Sequence, residues 1–168
     1  MRKSFILFLV FLMVFSVSVL AKSKVKVNLP KGTVYNGIGV GFIAGAPSGL
    51  SLKTYLSKET ALQAGVSWYY YGAFGASVDY LIHSFDIIEV DKGDVGLYFG
   101  GGAFINMYYA TYYGYGAGVG VGVRVPLGVC YNFENSPIDI FVEAVPSLSV
   151  LPGVWFGIGG GLGARYYF

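Results

Sequence analysis

From residue 35 to the end of the chain, apolar side chains recur at every second position, and the positions between them carry glycine, serine or an occasional charge. A β-strand sends alternate side chains to opposite faces, so this pattern predicts strands with one greasy face and one thin, mildly polar face. Eight such runs are present, at 36–46, 50–57, 60–71, 74–83, 95–107, 118–133, 138–150 and 154–168. The sixth is the most regular: Val119, Val121, Val123, Val125, Leu127, Val129, Tyr131 and Phe133 alternate with Gly118, Gly120, Gly122, Arg124, Pro126, Gly128, Cys130 and Asn132. In the last run the apolar set ends on Tyr166 and Phe168, and the other set is glycine plus Arg165. Turn residues separate the runs: Pro47-Ser48-Gly49, Lys58-Glu59, Gly72, Glu134-Asn135-Ser136-Pro137 and Leu151-Pro152-Gly153. The stretch from Ser84 to Asp94, rich in acids, reads as a longer connection, and Tyr108 to Tyr115 reads as an aromatic loop.

Composition decides which all-β architecture this is. Only 12% of residues are charged, about half the share usual in a soluble protein. Over half are hydrophobic, and the 168 residues include 15 Tyr, 13 Phe and 26 Gly. A soluble barrel of the lipocalin kind would show the glycine face to water with about one charge per strand, which is too little to stay dispersed. Past the amino-terminal segment no apolar run is long enough for a membrane helix. Closed barrels are the other structures that satisfy their backbone groups in lipid. The sequence therefore predicts an all-β, eight-stranded antiparallel up-and-down transmembrane β-barrel over residues 35–168. An even strand count puts both ends in the periplasm. Trp68, Tyr70, Phe156 and the Tyr108 to Tyr115 loop are expected near the outer rim. Tyr80, Phe85, Tyr131, Phe133, Tyr166 and Phe168 are expected near the inner rim.

Residues 1–21 read as a secretory signal: Arg2 and Lys3, then the apolar run from Phe5 to Val19, then Val19-Leu20-Ala21 before Lys22. An uncleaved anchor is the alternative. Residues 22–34 carry Lys22, Lys24, Lys26 and Lys31 without periodicity, and read as a basic flexible tail, a solvated linker or a segment that touches anionic lipid or peptidoglycan. Removing Arg2 and Lys3 leaves 9 basic residues against 9 acidic ones, so nothing suggests a nucleic-acid partner. Cys130 is the one cysteine, so no internal disulfide forms, and it is expected to be a small buried filler.

In this reading every charge within a strand points into the lumen: Lys53, Asp79, His83, Arg124, Asp139, Glu143 and Arg165. With His83 neutral the set is three positive and three negative. Counting from the turns sets Arg165 near Asp139, and Arg124 across from the Glu143–Val145 region. An interior this narrow is filled by side chains, so a structural ionic network is expected. Gly118, Gly120 and Gly122 precede Arg124, and Gly157, Gly159 and Gly161 precede Arg165, on strands running inward from the cell surface. The outer half of the lumen is then either a shallow cup above an ionic plug, or a wall whose glycines make room for Tyr69, Phe104, Phe141 and Trp155. A nucleophile and base in mutual reach would be needed for a lipid-modifying hydrolase. His83, four residues after Asp79, is the one histidine, and it points away from lipid. No metal-ligand spacing or phosphate loop is present, so no catalytic residue, metal or cofactor is expected.

The chain resembles the small OmpA/OmpX-type outer-membrane barrels over Tyr35 to Phe168, most specifically in the terminal Arg165-Tyr166-Tyr167-Phe168. Ser48-Gly49-Leu50-Ser51-Leu52-Lys53, Asp79-Tyr80-Leu81, Arg124-Val125-Pro126-Leu127-Gly128 and the run from Asp139 to Pro146 also look like a family of uncharacterised bacterial barrel proteins. The resemblance implies the barrel fold and the bacterial outer membrane, with lipid as one partner and the barrel-assembly machinery, read through Tyr166 and Phe168, as another. It supplies no activity. The outer loops are shorter than in the OmpA/OmpX pattern, which argues against an adhesin, and no peptidoglycan-binding domain is expected after Phe168. The reading is a structural or surface barrel with a plugged lumen; its alternatives are a small-molecule pore or binding cup open to the exterior, and a lipid-modifying hydrolase.

Overall fold

The computed structural model describes residues 35–69, 72–88, 90–108 and 118–168. The expectations for residues 1–34, for Tyr70 and for most of the 108–115 loop lie outside these residues. The alternating runs form β1 (Gly39–Ala46), β2 (Ser48–Tyr55), β3 (Thr60–Tyr69), β4 (Ala73–Ile88), β5 (Asp94–Tyr108), β6 (Gly118–Arg124), β7 (Leu127–Asn132), β8 (Ile138–Leu151) and β9 (Trp155–Tyr167). Each pairs antiparallel with its neighbours, and β1 pairs with β9, from Gly39 opposite Tyr167 to Ala46 opposite Gly160. The sheet is thus a closed up-and-down barrel.

The ninth strand arises because the predicted sixth run is two pieces. Pro126 has no N–H for the ladder, and the strand breaks at Val125–Pro126. Pairing continues through the break: the Val125 N–H donates to the Pro146 carbonyl at 2.9 Å, and the Gly100 N–H donates to the Pro126 carbonyl at 2.9 Å. Both pieces lie between β5 and β8, so together they fill one of eight positions around the barrel. Opposite β6, Val121 pairs with Leu151 and Gly122 with Ser149, which leaves Val150 as a bulge.

One boundary differs from expectation. The acidic stretch after His83 is not all connection: β4 continues to Ile88, with an irregularity between Ser84 and Ile88. Asp86 there lies 3.7 Å from Lys58 of the β2–β3 turn, with Asp86 largely exposed and Lys58 half-buried. Alternation also carries Phe85 inward rather than to the rim, where its ring stacks on His83 at 5.7 Å.

The barrel is apolar outside and polar inside. Outward positions such as Leu50, Val66, Val78, Phe99, Val123, Val142 and Leu162 are exposed. Inward positions include the buried Lys53, Gln63, Asp79, His83, Asn132, Asp139, Glu143 and Arg165. A soluble protein has the opposite arrangement.

A layered lumen: aromatic floor, ionic plug, open cup

The bottom of the lumen is aromatic. Tyr35, just ahead of β1, brings its hydroxyl to 2.7 Å from the carbonyls of Phe133 and Ile138 and 3.0 Å from that of Ser136, tying the chain's entry to the β7–β8 turn. Its ring packs 4.5 Å from Tyr167, which stacks on Tyr55 at 6.0 Å. Buried among them is His83, with Tyr55 and Tyr98 each at 5.2 Å and Phe85 on another side. Among the described residues neither ring nitrogen of His83 has a side-chain hydrogen-bond partner. Asp79 does not orient it, because that carboxylate is taken by Arg124. The two residues share a face, but four strand positions of separation exceed hydrogen-bond reach.

Above this floor lie two ionic layers. In the lower, Arg165 Nε donates to Asp139 Oδ1 at 3.0 Å and Oδ2 at 3.1 Å, from the directly opposed position on β8. Its Nη1 reaches Ser51 Oγ at 3.2 Å and Gln63 Oε1 at 2.6 Å, and its guanidinium lies 3.8 Å over the Phe141 ring. Tyr167 donates its hydroxyl to Asp139 at 2.8 Å. Lys53 Nζ is 4.0 Å from Asp139 and sits over Tyr55 at 4.5 Å. In the upper layer Arg124 Nε is 3.1 Å from Asp79, Nη2 is 3.6 Å from Glu143, and Nη1 donates to Ser77 at 3.1 Å. Glu143 also accepts from Tyr98 at 3.0 Å and from Gln63 at 3.2 Å.

Gln63 therefore joins the layers: its carbonyl accepts from Arg165 below and its amide donates to Glu143 above. Formally the lower layer holds two cations and one anion, and the upper layer one cation and two anions. The two layers together are balanced.

Of the seven lumen residues singled out from the sequence, the six charged ones form these two layers, and His83 belongs to the aromatic floor instead. Arg124 faces Ser147 in register and reaches Glu143 diagonally. Gln63, Ser51, Ser77, Tyr98, Tyr167 and Tyr35 were not singled out. Gln63 had a legible signal, since counting from the Lys58-Glu59 turn sets it opposite Lys53, as the register does.

A recurring device brings these partners together. Asp79 on β4 and Arg124 on β6 both pair with Gly102 on the strand between. Tyr98 and Glu143 both pair with Gly128. Arg165 and Ser51 both pair with Gly41. A Cβ on Gly102 would strike the Asp79 carboxylate, and one on Gly128 would strike the Tyr98 ring. The missing side chain lets groups two strands apart meet across it.

The outer half of the lumen holds a cavity of about 510 Å³. It rests on Arg124, Glu143 and Gln63, and extends to Pro47 and Pro152 at the outer turns. Of the six glycines expected to line it, Gly120, Gly157 and Gly159 do so. Gly118 and Gly122 instead lie under the rings of Tyr108 and Phe104, and Gly161 backs closely onto Ala44 of β1. Phe141 lies against Gly163 deeper in the barrel. Glycine thus makes room for rings at some positions, and a cup remains above them. Tyr166 and Phe168 lie on the outer face with rings 4.8 Å apart, edge to face. Among the described residues no cluster of His, Cys, Asp and Glu could hold a metal.

The fold is similar to that in a crystal structure of the N-terminal β-barrel domain of Pseudomonas aeruginosa OprF, with a TM-score of 0.62 and 15% identity, over 80% of this chain and 99% of that one. No curated protein matches the chain significantly. Residues 30–160 match the family described as proteins of unknown function, DUF3996, and the chain belongs to that family.

Proposed function

We propose that the protein is an integral β-barrel of the bacterial outer membrane, with a structural or surface role and a lumen closed to ion flow at its periplasmic half. The observation that carries this is the partition of side chains: an outer wall of exposed Leu, Val and Phe, and an interior in which Lys53, Asp79, Asp139, Glu143 and Arg165 are buried. A charge turned to lipid near the midplane costs about 2–4 kcal/mol, which accounts for the partition in a membrane and has no counterpart in water. Outer-membrane lipid then covers the wall, and Tyr166 and Phe168 at the end of the closing strand serve as the signal to the assembly machinery. Catalysis forms no part of this reading; His83 is buried among the rings of Tyr55, Phe85 and Tyr98.

Planar-bilayer recording tests the closed lumen. Purified protein should insert without stable conductance steps. Steady steps that vanish on changing Arg124 or Glu143 would make the protein a pore. Membrane fractionation tests the compartment, with the protein expected among outer-membrane markers.

A further inference from the structure

The cup has a composition that selects among ligands. Arg124 and Glu143 are the only charged residues among the described residues that line it, and both are already engaged. Arg124 is held by Asp79, Ser77 and Glu143, and Glu143 by Tyr98, Gln63 and Arg124. A charged solute entering the cup would shed water and meet no unspent counter-charge, an unfavourable exchange. Above that floor the wall offers neutral groups, including Ser67, Asn106 and Ser149, whose hydroxyl donates to the Leu151 carbonyl at 3.0 Å and is left to accept, with the rings of Tyr69, Phe104 and Trp155. Hydroxyl and amide groups set between aromatic faces suit a ligand that is polar at its edge and apolar on its faces. The volume lies within the range of small-ligand sites and holds one or two six-membered rings.

We propose that the outer half of the lumen is a binding site for an uncharged, hydroxyl-bearing ring compound of mono- or disaccharide size. The ligand's edge hydroxyls bond to the Ser67, Asn106 and Ser149 side chains, its ring face lies on the aromatic wall, and the Arg124–Glu143 layer is the floor that stops it. The proposal rests on the closed lumen proposed above, but the two fail separately: bilayer conductance reports on the floor, and binding in micelles reports on the cup.

The chain's two tryptophans make the test direct. Trp68 is on the outer face beside Phe42, whereas Trp155 lines the cup. In a Trp68→Phe background, the fluorescence of full-length protein in detergent micelles is followed against maltose, trehalose and N-acetylglucosamine, and against glucose 6-phosphate and glucosamine. A saturable change is expected with at least one uncharged sugar, at least tenfold tighter than with the charged pair. Two variants locate the site. A Cβ on Gly120 meets nothing nearer than 3.6 Å, so Gly120→Phe can fill the cup. Asn106→Leu removes wall hydrogen bonds at similar size. Each should weaken binding at least tenfold, while β circular dichroism and trypsin resistance stay at the parent level. Linear responses to every uncharged sugar would overturn the proposal. So would equal or tighter binding of the charged pair, or undiminished binding in a folded Gly120→Phe or Asn106→Leu variant.

Discussion

Replacing Asp139 by asparagine removes the one carboxylate of the lower ionic layer while keeping its shape. In the native lumen Asp139 takes both Arg165 contacts, at 3.0 and 3.1 Å, and the Tyr167 hydroxyl at 2.8 Å, and it is the carboxylate nearest Lys53, at 4.0 Å. After substitution two buried cations share a layer with no anion. Breaking a buried pair by removing one partner costs about 3–5 kcal/mol, because the other charge stays desolvated. Lys53→Met should behave differently. It gives up cation–π contacts to Tyr55 and Tyr98 worth up to about 2 kcal/mol, but it also relieves the burial of an ammonium whose carboxylate is distant. Its expected effect is within about 1 kcal/mol of zero. The double substitution should then cost at least about 1 kcal/mol less than the sum of the singles, since losing Lys53 relieves the repulsion that losing Asp139 creates. Urea unfolding in phosphatidylcholine vesicles, followed by tryptophan fluorescence, measures all three. A cost below about 1 kcal/mol for Asp139→Asn, or strict additivity in the double variant, would refute the account of the layer.

Three further outcomes are expected. Val142→Arg, on the exposed mid-strand face of β8, should destabilise the barrel in vesicles by about 2–4 kcal/mol, and a neutral effect there would argue that this face meets water. Gly122→Ala should cost about 1–3 kcal/mol, because its Cβ would strike both the Leu148 carbonyl and the Phe104 ring, and Phe104→Ala in the same chain should relieve the ring's share alone; an unchanged cost without the ring would count against that share. The Tyr35 phenol is pushed up to about 12 by burial and by the nearby Asp139 carboxylate. A raised phenol contributes stability that is full below its unfolded value near 10 and is lost as pH rises through about 12. The phenolate absorbance of wild type minus that of Tyr35→Phe should therefore titrate near 12, and a midpoint near 10 would refute the anchoring of Tyr35 on the β7–β8 turn.

The closed antiparallel barrel, the inward turn of the charges and the opposition of Arg165 to Asp139 were all legible, because each depends only on alternation and on counting from a turn, whereas the ninth strand comes from a break at Pro126 through which the alternation runs on. What was hidden depends on curvature. Asp79 meets Arg124 only because a tightly bent wall brings β4 and β6 together over Gly102, and alternation carries no information about bending. The same holds for Gln63, an uncharged residue whose importance lies in what stands above and below it. The extension of β4 was missed because acidic residues suggest a loop, although alternation ran on through Phe85. The cup could be framed but not decided: whether glycine leaves space or yields it to a ring depends on which ring lies opposite, as Gly120 and Gly122 show in adjacent inward positions.

The bridging of side chains across Gly41 bears on how the barrel closes. Asp139 and Arg165 lie on adjacent strands of one hairpin, so their pair can form while the sheet is still open. Ser51 and Gln63 lie on β2 and β3, beyond the seam where β9 meets β1. Until the first and last strands join, Nη1 of Arg165 has neither of these partners. Closure in the right register supplies both at once, and a slip of one residue would turn the guanidinium to the barrel's apolar outer face. Two of the hydrogen bonds of the chain's last arginine thus exist only in the ring whose two ends have met in register.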